Sequence, residues 1–140
     1  MKKRPSFVNV ALATAKVWSL RSEDPYKKVG SCILNKEGRV LSIGYNGLPS
    51  KVSVDNKFWE NREERRKYII HAEINALSLI KKSDEPHLLA STLLPCSSCA
   101  TSIVSYGIKH VVYLEDYDLD RNALDIFRFY GVQLQKYEKN

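Results

Sequence analysis

Two short stretches, His71-Ala72-Glu73 and Pro95-Cys96-Ser97-Ser98-Cys99, contain the residue types that a catalytic zinc site needs. His71, Cys96 and Cys99 offer one nitrogen and two sulfurs, which leaves the fourth tetrahedral position of a Zn²⁺ ion open to water. A structural zinc is instead closed by a fourth protein ligand. Cys32 is the only other cysteine, and His87 and His110 are the only other histidines, so few groups could close the site. A zinc ion with two thiolates and a neutral imidazole has no net charge. It lowers the pKa of bound water to about 7 and so supplies a nucleophile at neutral pH. Glu73 is not needed as a ligand and is free to take the water's proton and pass it on.

The order H-x-E followed by P-C-x-x-C is the signature of zinc-dependent base deaminases, in which C4 of cytosine or C6 of adenine is attacked and ammonia leaves. The spacing is physically consistent with that use. Cys96 and Cys99 lie one turn apart if a helix begins at Pro95-Cys96, where a missing N–H costs nothing. There the thiols feel the positive end of the helix dipole, which favours thiolate. His71 and Glu73 can converge on one ion only at a helix start, the histidine from the cap and the glutamate from the first turn. The apolar residues Ile74, Ala76, Leu77 and Ile80 continue with helical period. A lone C-x-x-C is often structural and a lone His-x-Glu a surface accident; their joint occurrence in this order favours the catalytic reading.

The elements that must position these residues can be read along the chain. Apolar residues recur at helical spacing over 6–21, and Asp24-Pro25 breaks the pattern. Val29 to Leu34 reads as a strand, Asn35-Lys36-Glu37-Gly38 as a hairpin turn, and Arg39 to Tyr45 as its partner. Asn46-Gly47-Leu48-Pro49 has turn chemistry. Residues 50–67 read as a loop with a short helix. After the His71 helix come a strand from Leu88 to Leu94, a helix through Tyr106, and a strand from His110 to Leu114. A helix over 119–130 and a last strand from Val132 to Tyr137 complete the pattern. Helices alternating with strands after one hairpin imply a three-layer α/β/α sandwich around a mixed five-stranded sheet. Both metal stretches then fall at strand-to-helix junctions on one sheet edge, where such proteins bind ligands.

The 140 residues fit one domain, 1–140, with no repeat or linker, and 44% hydrophobic and 27% charged residues are ordinary for a soluble globule. A formal charge of +6 suits an anionic partner, a nucleotide phosphate or a nucleic acid. The basic runs Lys2-Lys3-Arg4 and Arg62, Arg65, Arg66, Lys67 also read as solvated faces. Three cysteines, two of them committed to metal, make no disulfide framework, so the expected compartment is the reducing cytoplasm. The basic N-terminus before Phe7–Ala13 is too short and too polar for a signal peptide, and no stretch has transmembrane length.

On these residues the chain resembles the deoxycytidylate (dCMP) deaminases of the cytidine-deaminase superfamily. The resemblance extends over nearly the whole chain. It rests on Arg21-Ser22-Glu23-Asp24-Pro25, Val29-Gly30, Gly44-Tyr45-Asn46-Gly47-Leu48-Pro49, His71-Ala72-Glu73-Ile74-Asn75-Ala76, Pro95-Cys96-Ser97-Ser98-Cys99-Ala100 and Gly107-Ile108 through Tyr117. The Tyr45-Asn46-Gly47 turn with Pro49, and Asn75 after the glutamate, point to the nucleotide branch rather than to the superfamily at large.

The resemblance implies hydrolytic deamination of dCMP to dUMP, feeding dTTP synthesis. It places Asn46 on the deoxyribose, Ala72 against the substrate, and Tyr117 stacked on or fencing the pyrimidine. Arg21, Ser22 and Lys28, with Lys27 beside them, become candidates for the 5′-phosphate. It further implies a homohexamer, activated by dCTP with Mg²⁺ and inhibited by dTTP at a loop similar to that around Tyr45 and Gly47. The sequence departs from the family in having Pro49-Ser50-Lys51 where many members have a glycine after the proline. Residues 50–70 also lack the Cys and His that bind a second zinc in some members, so one zinc per chain is expected. Two other readings stand beside this one. One is a deaminase acting on a base within RNA, like the tRNA adenosine deaminases, although no arginine-interleaved stacking stretch is evident. The other is a non-catalytic zinc module closed by His87 or His110.

Overall fold

In the computed structural model, which describes residues 3–138, the sequence pattern becomes a five-stranded sheet with helices on both faces. Lys2 of the N-terminal basic run lies outside the described residues. The strands are β1 (Gly30–Asn35), β2 (Val40–Tyr45), β3 (Pro86–Leu93), β4 (His110–Glu115) and β5 (Gln133–Lys136), in the order β2-β1-β3-β4-β5. β1 runs antiparallel to β2 and β3, whereas β3, β4 and β5 are parallel. The sheet is therefore mixed, as expected from one hairpin followed by β-α-β crossovers.

The central strands are apolar on both faces because both faces are covered. Ile33, Leu89 and Val111 enter a core with Ala76, Leu77, Ile103 and Phe127. Their neighbours Cys32, Leu34, Leu88, Ala90 and Val112 pack on the other face with Ala11, Leu12 and Ala15. Among the described residues, helix α1 (Phe7–Ser19) alone covers that second face. Helices α4 (Ala72–Leu77), α5 (Ser97–Ser105) and α6 (Ala123–Phe129) cover the first.

Two glycines set how closely the helices approach. A Cβ on Gly30 would lie 1.8 Å from the carbonyl oxygen of Ala15, and one on Gly44 would lie 2.4 Å from that of Ala72. Gly44 thus lets the first turn of α4, which carries the H-x-E stretch, rest on β2. The hairpin turn falls where expected, with Gly38 at φ 83° closing it.

Three expectations are corrected. Residues 50–67 form two short helices, α2 (Asn56–Glu60) and α3 (Arg62–Arg65), capped by Asp55 and Asn61. Pro95 precedes the cap of α5 instead of opening its first turn, because Cys96 is the N-cap. The helix read over 119–130 starts only at Ala123. Asp120 accepts hydrogen bonds from Ser97 N at 2.8 Å and Asn122 N at 3.1 Å, and these hold the preceding residues as a loop.

Candidate active site

His71 is the N-cap of α4 and Cys96 the N-cap of α5, both in extended conformation, so each metal-type side chain leaves the chain where strand or loop turns into helix. His71 Nδ1 lies 3.2 Å from Cys99 Sγ and 3.4 Å from Cys96 Sγ, and the three ligand atoms lie within 4.8 Å of one another. A tetrahedral ion with Zn–S of about 2.3 Å and Zn–N of about 2.0–2.1 Å requires N···S edges of about 3.5 Å. The three side chains therefore fit a zinc ion in donor type, number and spacing. Neither His87 nor His110 joins this group; His110 Nε2 faces Gln135 Oε1 at 3.3 Å.

The electrostatics favour metal capture. Cys96 is held far down, to about 3, chiefly by its hydrogen bond with Cys99 and then by His71 and Ser98. The same bond, with burial, pushes Cys99 up. The pair is thus poised to hold one thiolate even before a cation arrives, and a cation draws off the second proton. The bond to Cys96 also raises His71, against the opposing effect of burial. Glu73 is 4% exposed, and burial raises its carboxyl to about 7, with His71 opposing. A carboxyl poised near neutrality can hold a proton or release it during turnover.

His71, Ala72, Glu73 and Cys96 line a pocket of about 260 Å³. Val29, Leu93, Leu94, Asn46, Tyr117 and Leu119 line it too. So do Lys27, Arg62, Arg65 and Arg66, with Asp24 and Asp116. The pocket thus combines apolar walls, an acid–base and metal-ligand part, and a cationic part.

The sequence-predicted residues are distributed unevenly around it. Ala72, Asn46 and Tyr117 line the pocket. Asn46 is also a strut: its Oδ1 accepts from Val29 N at 2.8 Å and its Nδ2 donates to Lys27 O at 2.9 Å. Arg21 and Lys28 are exposed and are not among the pocket's lining residues. Ser22 is buried, and its hydroxyl donates to Asn46 O at 2.9 Å. Lys27 does line the pocket and is ion-paired with Glu115. Tyr45 stacks on Trp18 with centroids 6.5 Å apart, and its carbonyl accepts from Asn75 Nδ2 at 2.8 Å. Gly47 pairs with Ile70 in an isolated bridge.

The residues that sequence reasoning missed lie on α3 and its C-cap. Arg62, Arg65 and Arg66 belong to a run read there as a solvated face, yet all three line the pocket. Arg65 is 5% exposed and pairs with the buried Asp24 at 2.8 Å. Arg62 and Arg65 both lie over the Tyr26 ring, at 5.3 and 4.7 Å from its centroid. Their spacing of three and four residues, which puts side chains on one helical face, was the available signal.

Fold and site together define a zinc-type deaminase sandwich. The family model for the cytidine and deoxycytidylate deaminase zinc-binding region matches residues 1–115. The human deoxycytidylate deaminase is 34% identical over 149 aligned residues, covering 97% of this chain and 84% of that protein. The dCMP deaminase of cyanophage S-TIM5, solved in complex with dCMP and dUMP, superposes with a TM-score of 0.79 at 28% identity, covering 97% of this chain and all of that one. The chain belongs to the cytidine and deoxycytidylate deaminase family, and it is an enzyme of that family.

Proposed function

We propose that this enzyme converts dCMP to dUMP and ammonia. The observation that carries the reading is the pocket itself, in which Glu73 and the metal-ligand corner share one cavity with Lys27, Arg62, Arg65 and Arg66. A zinc held by His71, Cys96 and Cys99 would supply an activated water there. The chain's own residues do the rest. Glu73 takes up a proton at its carboxylate and returns it to the departing amino group. Ala72, at the first turn of α4, meets the base through its main chain, and Tyr117 walls it in. Asn46 Oδ1 has spent one lone pair on Val29 N, leaving the second for a hydroxyl of the deoxyribose. Arg62, Arg66 and Lys27 receive the phosphate, which carries about two negative charges and would be costly to leave unpaired.

Further features follow the same reading. Regulation by dCTP with Mg²⁺ and by dTTP at the loop of Tyr45 and Gly47 is proposed on the resemblance alone; Asn75, two residues beyond Glu73, ties that loop to α4 by donating to Tyr45 O. Exposed Val10, Val17 and Leu20 around α1 are suited to assembly of a homohexamer. The three cysteines are free, which suits the cytoplasm, and no helix among the described residues is long and apolar enough to cross a membrane. The whole chain acts as one deaminase domain, feeding dUMP toward dTTP. Ammonia release from purified protein given dCMP, dCTP, deoxycytidine and a tRNA anticodon stem tests the reading. dCMP should be turned over best, and preference for the RNA stem would replace it.

A further inference from the structure

One wall of the pocket is a loop, residues 116–120, that follows β4 and bears Asp116, Tyr117 and Leu119 on the pocket. Leu119 is 63% exposed, so packing does little to hold it, and Tyr117 packs only in part against the core. The loop's polar ties to the protein lie at its two ends. At one end Asp116 pairs with Lys136 on β5 at 2.9 Å. At the other, Asp120 Oδ2 accepts from both Ser97 N, at 2.8 Å, and Ser97 Oγ, at 2.7 Å. Asp120 Oδ1 accepts from Asn122 N at 3.1 Å, and Asp120 N donates to Tyr117 O at 3.3 Å. Ser97 is the first residue of α5 and follows Cys96 directly. A single carboxylate therefore ties the wall that faces the substrate to the helix that carries both cysteines.

We infer that Asp120 is a positioning residue, whose grip on Ser97 fixes Tyr117 and Leu119 against the nucleotide without itself touching it. The inference rests on the reading of the pocket as a nucleotide site. Its chemistry is that of a charge-assisted pair of hydrogen bonds, both to one residue, which is stronger and more orienting than a neutral contact. The bonds from Ser97 also hold the Asp120 carboxyl below the usual carboxylate range, so the clamp is closed at neutral pH. Freeing the loop leaves the proton-transfer and metal groups in place but makes the base's wall mobile, so substrate binding must order it again.

The test is Asp120→Ala, with Ser97→Ala, Asp120→Asn and the exposed Asp118→Ala beside it. Asp120→Ala should raise KM for dCMP by about tenfold while kcat changes by less than about threefold, the signature of lost uniform binding. Ser97→Ala keeps the main-chain bond and should raise KM by only about two- to threefold. Asp120→Asn, which keeps an acceptor for Ser97, should recover most of the loss, and Asp118→Ala should match wild type. Zinc content should stay at that of wild type in all four, and calorimetric binding of dUMP should weaken in step with KM. An unchanged KM in Asp120→Ala, or a fall in kcat accompanied by zinc loss, would overturn the inference, the latter by showing that the clamp serves the metal helix. Should Asp120→Ala fail to fold, Ser97→Ala decides on the same two criteria, an unchanged KM or a fall in kcat with zinc loss. Failure of the wild type to turn over dCMP or bind dUMP would instead strike the nucleotide reading.

Discussion

Two parts of the pocket are built in opposite ways. The metal-ligand part is local: His71 and Cys96 each stand at a helix N-cap, Cys99 follows one turn later, and Gly44 lets α4 settle on the sheet. The cationic part is assembled from segments distant in sequence. Asp24 accepts from Tyr26 N at 2.8 Å and Lys27 N at 3.3 Å through one oxygen, and from Arg65 at 2.8 Å through the other. The roof formed by α2 and α3 is further tied down by Tyr26, whose hydroxyl donates to Glu60 O at 3.0 Å. The contrast teaches that the chemistry sits where strand or loop turns into helix, while the cationic part is held by a buried ion pair that ties the loop of Asp24 to α3.

The largest effect is expected at the metal-ligand part. Glu73→Gln should keep its zinc, because the glutamate is not among the ligands. It should lose turnover by about 10²–10⁴-fold or more, since proton transfer contributes that much. Metal analysis beside an ammonia assay checks both halves.

In the cationic part the largest effect should be on stability. Asp24→Ala leaves Arg65 buried without its carboxylate and should lower stability by about 3–5 kcal/mol, as breaking a buried pair does. A double variant, Asp24→Ala with Arg65→Met, should recover much of it, because no uncompensated charge remains. Denaturant unfolding of the three proteins measures this. Recovery would show that the pair organises the roof rather than supplying the charge that reads the ligand.

A smaller change isolates recognition. Arg62 makes no ion pair among the described residues and rests on Tyr26, so Arg62→Ala should spare the fold. It should lower kcat/KM for dCMP by about tenfold, with deoxycytidine nearly unaffected. Arg21→Ala and Lys28→Ala, both exposed and outside the lining, should change either substrate by less than about twofold. The smallest effect concerns Cys32. It is fully buried, and burial pushes its thiol up to about 11, so it should stay unreactive toward thiol reagents in the folded protein. Mass spectrometry of the alkylated native protein reads this directly.

That difference between the two parts also explains what was legible in the sequence. The cap position of His71 and the hairpin at Gly38 follow from spacing within a few residues, and the sheet's mixed character from one hairpin followed by alternating helices and strands. The start of α5 was read one residue early, at Pro95, because proline suits a first helical turn as well as the position before a cap. The alternation of Cys32, Ile33 and Leu34 between two cores is likewise a local pattern. Arg62, Arg65 and Arg66 looked like a solvated run because nothing local shows that Asp24 lies opposite Arg65. Arg21 and Lys28 looked like phosphate ligands for the complementary reason: they flank a turn whose buried member, Asp24, faces the pocket while they do not. The late start of α6 was hidden too, since Asp120 is claimed by Ser97, which a helical period cannot reveal.

On the proposed function, one pocket joins the proton-transfer corner to the cationic roof, so that the phosphate is read where the base is deaminated. The direct measurement is kcat/KM for dCMP and for deoxycytidine, on wild type and on Arg62→Ala with Arg66→Ala. Wild type should favour the nucleotide by about 10²-fold or more, about 3 kcal/mol, and the double variant should lose most of that preference while its rate on deoxycytidine stays within a few-fold. Equal rates on the two substrates in the wild type, or a preference that survives removal of both arginines, would contradict the account.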